Sequence, residues 1–287
     1  MKNINLLIVN IIAISLLVSC SNESDKQFTL LSPNNTGVNF INKLQEDNQI
    51  NYFTYPYIYM GGGVSVGDIN NDNLDDLFFT GNMTDNKLYL NKGNLKFDDI
   101  TIESGVSGDN RWYTGSTMID INHDGFLDIY VSVAGLDGVK NNELYINNKD
   151  NTFTEMAKEY GIDDIGNSVQ ATFFDYDKDG DLDLYIANYP MTPFDAPRSY
   201  YYYKMQNTGD FETDNLYRND GSAFTRVTEE AGLRTYGLTL SATVGDLNND
   251  SYPDLYISND FSSPDFMYMN NGDGTFSEEI KETTNQT

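Results

Sequence analysis

DYDKDGDLDL, residues 175–184, sets a carboxylate at its first, third, fifth and ninth positions and a glycine at its sixth, then runs on as Tyr185-Ile186-Ala187. Hard oxygen donors at that density around a turn suit calcium. The pattern recurs as DINNDNLDDL at 68–77, DINHDGFLDI at 120–129 and DLNNDSYPDL at 246–255. An acidic run by itself usually reads as a solvated surface, but four copies in one register read as a repeated metal loop.

Counting from the first residue of each loop gives the candidate side-chain ligands. They are Asp68, Asn70, Asp72 and Asp76; Asp120, Asn122, Asp124 and Asp128; Asp175, Asp177, Asp179 and Asp183; and Asp246, Asn248, Asp250 and Asp254. Position seven varies in side-chain type, so Leu74, Phe126, Asp181 and Tyr252 are expected to offer backbone carbonyls. An EF-hand opens the same way but closes with a bidentate Glu at position twelve. Position twelve here is Phe79, Val131, Ile186 or Ile257, so the aspartate at position nine must close the coordination and the chain must continue as a strand.

Position six makes the loops unequal. Gly125 and Gly180 accept positive φ freely, Asn73 tolerates it, and Ser251 does so at a cost, with Pro253 restricting the fourth loop further. The third loop carries four carboxylates where the others carry three and an asparagine. The third site is therefore expected to bind tightest and the fourth weakest.

The chain has 287 residues, 44 acidic against 17 basic, and a formal charge of −27. Nucleic acid and anionic lipid are poor partners for such a surface. Thirteen of the carboxylates stand at loop positions one, three, five and nine, and about four calcium ions would bring the charge to −19. No CxxC, HExxH, Walker or dinucleotide fingerprint is present.

Residues 1–20 read as a secretory signal, with Lys2, an apolar run over 6–18 and then Leu17-Val18-Ser19-Cys20. The run is short for a membrane span. Cys20 is similar to the lipidated cysteine of a bacterial lipobox, which would anchor the protein without making it span; the alternative is an incidental thiol beside an ordinary cleavage site. It is also the single cysteine of the chain, so bound metal is the available substitute for a disulfide. Ser21 is unlike the aspartate that retains lipoproteins in an inner membrane, and Glu23 and Asp25 resemble acidic surface-export signals. The expected location is the cell envelope, at the outer membrane, with a flexible tether over 21–27 and folded sequence over 28–287.

The loop starts are 52, 55 and 71 residues apart. A second landmark keeps the same spacing: Leu88-Tyr89-Leu90-Asn91, Leu144-Tyr145-Ile146-Asn147, Leu216-Tyr217-Arg218-Asn219 and Met267-Tyr268-Met269-Asn270, each followed by Phe97, Phe153, Phe224 or Phe276. The period-two pattern predicts about four short strands per unit, and FTEMAKEYG and FTRVTEEAG predict a helical turn closed by glycine. An all-β fold of propeller blades follows. The third unit carries about twenty extra residues over 189–213, including Tyr200, Tyr201, Tyr202 and Tyr203. Aromatics on such an insertion are candidate ligand contacts, the alternative being that they pack the insertion onto its own blade.

The loops with their L-x-L/I-Y strands, L-Y-x-N and F-x-x-x-T/A-x-x-x-G companions resemble FG-GAP or VCBS repeats, similar to the calcium loops of integrin α-chain propellers. GGGVSVGDINND at 61–72 and FFDYDKDGDLDLYIANY at 173–189 resemble bacterial surface lipoproteins of the cartilage acidic protein type, which carry an ASPIC/UnbV domain further along. The resemblance covers 28–276. It departs in replacing the Phe-Gly and Gly-Ala-Pro elements with glycine-rich strands and in lacking an ASPIC/UnbV segment. It implies a seven-bladed closure, of which four or five blades fall within these residues, so an incomplete propeller is expected.

Gly63-Val64-Ser65-Val66-Gly67 matches the nucleophile elbow G-x-S-x-G, but it leads into a metal loop and the sole histidine, His123, lies inside loop two. A catalytic serine is not expected, and His123 at position four reads as solvated. The expected function is a non-catalytic, calcium-binding, lipid-anchored scaffold for a protein or glycan. The alternative is a fragment of a calcium-dependent carbohydrate-active enzyme on the same fold.

Overall fold

A computed structural model describes residues 27–281 except 110, 136–137, 194 and 262. The expected signal, Cys20 and all but the last residue of the tether lie outside the described residues. Residues 27–36 belong to a first unit, with one helical turn at Pro33–Thr36. The second unit starts at Gly37. Phe28 and Leu30, in the first unit, are 90% and 98% exposed.

The second unit holds four four-stranded antiparallel sheets, each in sequential order. The first blade is β1 (Val64–Gly67), β2 (Asp76–Phe79), β3 (Lys87–Asn91) and β4 (Phe97–Asp99). The second is β5 (Trp112–Ile119), β6 (Asp128–Ala134), β7 (Glu143–Asn147) and β8 (Phe153–Glu155). The third is β9 (Ser168–Phe174), β10 (Asp183–Asn188), β11 (Asn215–Asn219) and β12 (Phe224–Arg226). The fourth is β13 (Thr239–Gly245), β14 (Asp254–Asn259), β15 (Phe266–Asn270) and β16 (Phe276–Glu278). Among the described residues these form four propeller-type blades, where four or five were expected. The described lead-in over 37–60 adds a 3-10 turn at Pro56–Tyr59 and no strand.

A blade flanked on both faces cannot alternate apolar with polar. β6 and β10 accordingly bury every residue, including Tyr130 and Tyr185 on one face and Ile129 and Leu184 on the other. Three apolar layers form between neighbouring blades. Phe78, Leu88 and Val106 meet Tyr113, Val131 and Tyr145; Tyr130, Leu144 and Ile162 meet Ala171, Ile186 and Tyr217; and Tyr185, Leu216 and Leu233 meet Ala242, Ile257 and Tyr268. Each fully buried leucine or isoleucine in these layers contributes about 2 kcal/mol relative to exposure.

The innermost strands approach through small and hydroxyl residues. Thr114 Oγ1 donates to the carbonyl of Ser168 at 2.6 Å, and Thr80 Oγ1 donates to the carbonyl of Thr114 at 2.7 Å. A Cβ on Gly115 would stand 2.5 Å from the Val169 carbonyl oxygen, so only glycine permits the approach. The helical turn expected over 153–161 appears at Ala157–Tyr160, ended by left-handed Gly161, and an equivalent turn that was not expected lies at Thr101–Ser104, ended by left-handed Gly105. Around 224–232 the chain turns without a helix, and Gly232 is again left-handed at φ 76°.

Candidate functional site

All four acidic loops join the first strand of a blade to the second, so they emerge at one end of the blades. The aspartate at position nine begins the second strand in every blade, and Asp76, Asp128, Asp183 and Asp254 are each fully buried. One oxygen of each accepts the backbone N–H of position two, from Ile69 (3.0 Å), Ile121 (3.2 Å), Tyr176 (2.9 Å) and Leu247 (2.8 Å). The other accepts the N–H of the asparagine that ends the third strand, from Asn91 (2.7 Å), Asn147 (2.8 Å), Asn219 (2.9 Å) and Asn270 (2.8 Å). Position nine thus ties the loop to its own sheet, with one lone pair per oxygen left over.

Position one shapes the loop itself. Asp68, Asp120, Asp175 and Asp246 accept the N–H of position six with one oxygen, at 2.7, 2.9, 3.1 and 3.0 Å. Position five accepts the N–H of position seven in all four loops, from Leu74, Phe126, Asp181 and Tyr252 at 2.9, 3.0, 2.9 and 2.8 Å. Position six is left-handed throughout, at φ 65° for Asn73, 87° for Gly125, 100° for Gly180 and 75° for Ser251. Position four is left-handed too, in Asn71, His123, Lys178 and Asn249. His123 is exposed.

The third loop differs in its polar satisfaction. In the other three, the first-position Oδ1 accepts the N–H of position five. In the third, the Asp179 N–H goes to Asp177 Oδ1 at 3.3 Å, and Asp175 Oδ1 is buried with no hydrogen-bond partner among the described residues. Asp175, Asp177 and Asp183 bring one oxygen each to within 4.8 Å of one another. Burial pushes the Asp183 carboxyl up to about 7, against the pull of the Asn219 and Tyr176 N–H groups, and Asp177 and Asp179 push the same way. Burial raises Asp177 as well, followed by the charge of Asp179. An orphaned buried carboxylate oxygen among carboxylates fits a divalent cation.

Burial likewise raises Asp128, to about 6, and Asp76. In the second loop Lys149 Nζ lies 3.4 Å from Asp124 Oδ2 and 5.3 Å from the Phe126 ring, so a cation of the chain already faces one expected ligand. Neighbouring loops also touch. Asn71 Nδ2 donates to the Gly125 carbonyl at 2.9 Å, and Lys178 Nζ stands 4.0 Å from the Tyr252 ring centroid.

A second polar repeat was not anticipated from the sequence. The residue just before each third strand, Asn86, Asn142, Asp214 or Asp265, accepts a backbone N–H from the end of the second strand: Gly81 at 3.0 Å, Val133 at 2.7 Å, Asn188 at 2.7 Å and Asn259 at 2.8 Å. Its signal is an Asn or Asp two residues ahead of the Leu or Met of each L-Y-x-N motif.

At the opposite end of the blades lies the insertion. It contains a helix, Arg198–Gln206, which parts the four tyrosines by helical phase. Tyr201 is buried with Tyr189, Tyr236 and Leu238, Tyr200 packs against that cluster, and Tyr202 and Tyr203 are 68% and 62% exposed. The four therefore do not form one surface. Ser65 lies in β1 with its hydroxyl 2.5 Å from that of Ser116, in a strand-to-strand contact.

With this geometry in view, residues 61–131 and 133–186 match the FG-GAP-like repeat family. The chain thus carries FG-GAP-like repeats on propeller-type blades, a class of domain that generally serves as a binding or adhesion scaffold. No curated protein matches the chain. Among the described residues, no helix is long and apolar enough to cross a membrane.

Proposed function

We propose that the chain is a calcium-stabilised, non-catalytic binding scaffold of the cell envelope, of the ASPIC/UnbV-associated lipoprotein type, held to the outer membrane by lipid on Cys20 and presenting a protein- or glycan-binding surface. The observation that carries the calcium part is the orphaned Oδ1 of Asp175 beside Asp177 and Asp183. In the third loop Asp175, Asp177, Asp179 and Asp183 would hold the ion with the carbonyl of Asp181, and the equivalent residues would do so in the other three. Bound calcium would supply positive charge where burial and mutual repulsion now disfavour ionised carboxylates.

The residues themselves do the rest. Position one folds the loop and position nine ties it to the strand, and a bound ion would join the two, so that its binding energy would become folding energy. A ligand present at a hundred times its dissociation constant adds about 2.7 kcal/mol per site. Thermal unfolding of the chain in calcium and in EDTA tests this reading. A rise in melting temperature of many degrees with calcium, absent with magnesium, is expected; coincident curves would sink it. Metabolic labelling with palmitate, lost in Cys20→Ser, tests the anchor.

A further inference from the structure

Counted from the start of each acidic loop, positions two and eleven are residues that a blade turns toward its successor. Ile69 and Phe78, Ile121 and Tyr130, and Tyr176 and Tyr185 are all buried, each pair inside the apolar layer shared with the next blade. The carbonyls of Ile69 and Tyr176 also accept an asparagine amide of that next blade, from Asn147 and Asn270. The fourth blade carries the same pair, Leu247 and Tyr256, and among the described residues no blade follows it. Leu247 is 46% exposed and Tyr256 only half-buried.

The receiving face is as regular. The inner-strand residue opposite position ten is Met118, Phe173 or Val244, and each packs into the layer shared with the blade before it. Phe173 meets the position-eleven ring of Tyr130 edge-on, their centroids 5.7 Å apart. In the first blade that residue is Val66, opposite Leu77, and Val64 stands where Ala171 and Ala242 are buried in later blades. Val64 and Val66 are 56% and 58% exposed. Phe40 of the lead-in stacks on Phe79 at 5.1 Å and Asn39 accepts from the Tyr89 hydroxyl at 3.0 Å. The chain thus covers the outer part of this face itself and leaves the inner strand open.

The two open faces are opposite halves of one kind of contact. At the tail, the Leu247 carbonyl has no following blade to supply an asparagine; at the head, Asn91 has no preceding acidic loop to fasten among the described residues. We propose that copies of this chain associate head to tail, the fourth blade of one seating Leu247 and Tyr256 on Val64 and Val66 of the next, with Asn91 of the second copy donating to the Leu247 carbonyl of the first. A second copy is the occupant because one chain holds both halves, and the contact repeats the packing already used three times within it. The aliphatic side chains that meet carry no charge, so two acidic chains join where neither is charged. Such a contact is heterologous and grows into a ring or a filament. It goes beyond the scaffold reading and does not depend on it.

The full chain, held in detergent so that a lipid anchor does not drive association, is sedimented in calcium over a wide range of concentration. Species larger than the monomer, growing with concentration, are expected. Val66→Arg spoils only the receiving face and Leu247→Arg only the seating face, because each would bury an unpaired charge in the contact. Either variant alone is expected to stay monomeric. An equimolar mixture of the two is expected to form one-to-one dimers and nothing larger, through the intact face of each. Both positions are exposed within one copy, so circular dichroism and melting curves are expected to match the parent and separate a lost contact from a lost fold. Val64→Lys and Leu247→Glu make a second pair with the same expectations, used if an arginine unfolds the chain. A parent that is monomeric at every concentration, association that survives in either single variant, or a mixture that stays monomeric would overturn the proposal.

Discussion

The side-chain amide of Asn147, at the end of β7 in the second blade, donates to the carbonyl of Ile69 in the first acidic loop at 2.8 Å. The same amide donates to Leu127 at 3.0 Å, and its oxygen accepts the N–H of Lys149 at 2.8 Å. Asn270 repeats the arrangement, reaching the Tyr176 carbonyl of the third loop at 2.8 Å. In the second and fourth blades the asparagine of L-Y-x-N thus fastens the blade to the acidic loop of the blade before it.

Asn147→Ala leaves the carbonyls of Ile69 and Leu127 unpaired and is expected to cost about 3 kcal/mol. Asn91→Ala breaks only contacts within its own blade, to Asp75 and Gly93, and is expected to cost about 1 to 2 kcal/mol less. Urea unfolding of both variants checks the difference; equal losses would mean that the bridge to Ile69 contributes nothing.

Loop inequality has its own test. Calorimetric titration should show several calcium events, the tightest of them abolished by Asp175→Ala and the weakest by Asp246→Ala. If Asp175→Ala spares the tightest event, the ranking drawn from carboxylate number is wrong.

Ser251 holds φ 75°, where a Cβ meets its own backbone. Ser251→Gly removes that strain and is expected to stabilise the chain by about 1 kcal/mol. Asn73→Gly, starting from a residue that tolerates the conformation better, should gain less. Denaturant midpoints of the two variants decide the order.

Asp214 gives a pH prediction away from the loops. Burial pushes its carboxyl up to about 6 from 3.8, while the Asn188 N–H and the hydroxyls of Tyr185 and Thr239 pull the other way. A folded value above the unfolded one means that the folded state holds the extra proton. Its contribution is full below the unfolded value and is lost as pH rises through about 6. The full change is on the order of 3 kcal/mol. Asp214→Asn keeps an acceptor for Asn188 and is expected to flatten that part of the stability profile. Parallel pH profiles for variant and parent in saturating calcium would count against Asp214 as the source.

Within the tyrosine run, Tyr201→Ala is expected to lower stability by about 3 kcal/mol, because it opens a cavity beside Tyr189 and Tyr236. Tyr202→Ala and Tyr203→Ala remove exposed rings and should stay within about 0.5 kcal/mol of the parent. Melting curves separate the two classes.

The blades were legible because two landmarks recur in one register, and position twelve alone sufficed to exclude an EF-hand. Position six was legible because glycine advertises positive φ. Position four was not, since Asn71, His123, Lys178 and Asn249 share a conformation and no common side chain. Asn86, Asn142, Asp214 and Asp265 escaped notice for a similar reason: two are amides and two are acids, and what they share is an accepted backbone N–H. The tyrosine run gave no contrast between apolar and polar residues, so the helix that divides it could not be read.

The reach of Asn147 and Asn270 also sets an order in time. Ile69 and Tyr176 keep a carbonyl open until a strand some eighty or ninety residues further along arrives to close it. A chain that emerges from the ribosome with its first residues leading would therefore complete its first and third loops only when the blade after each has been made.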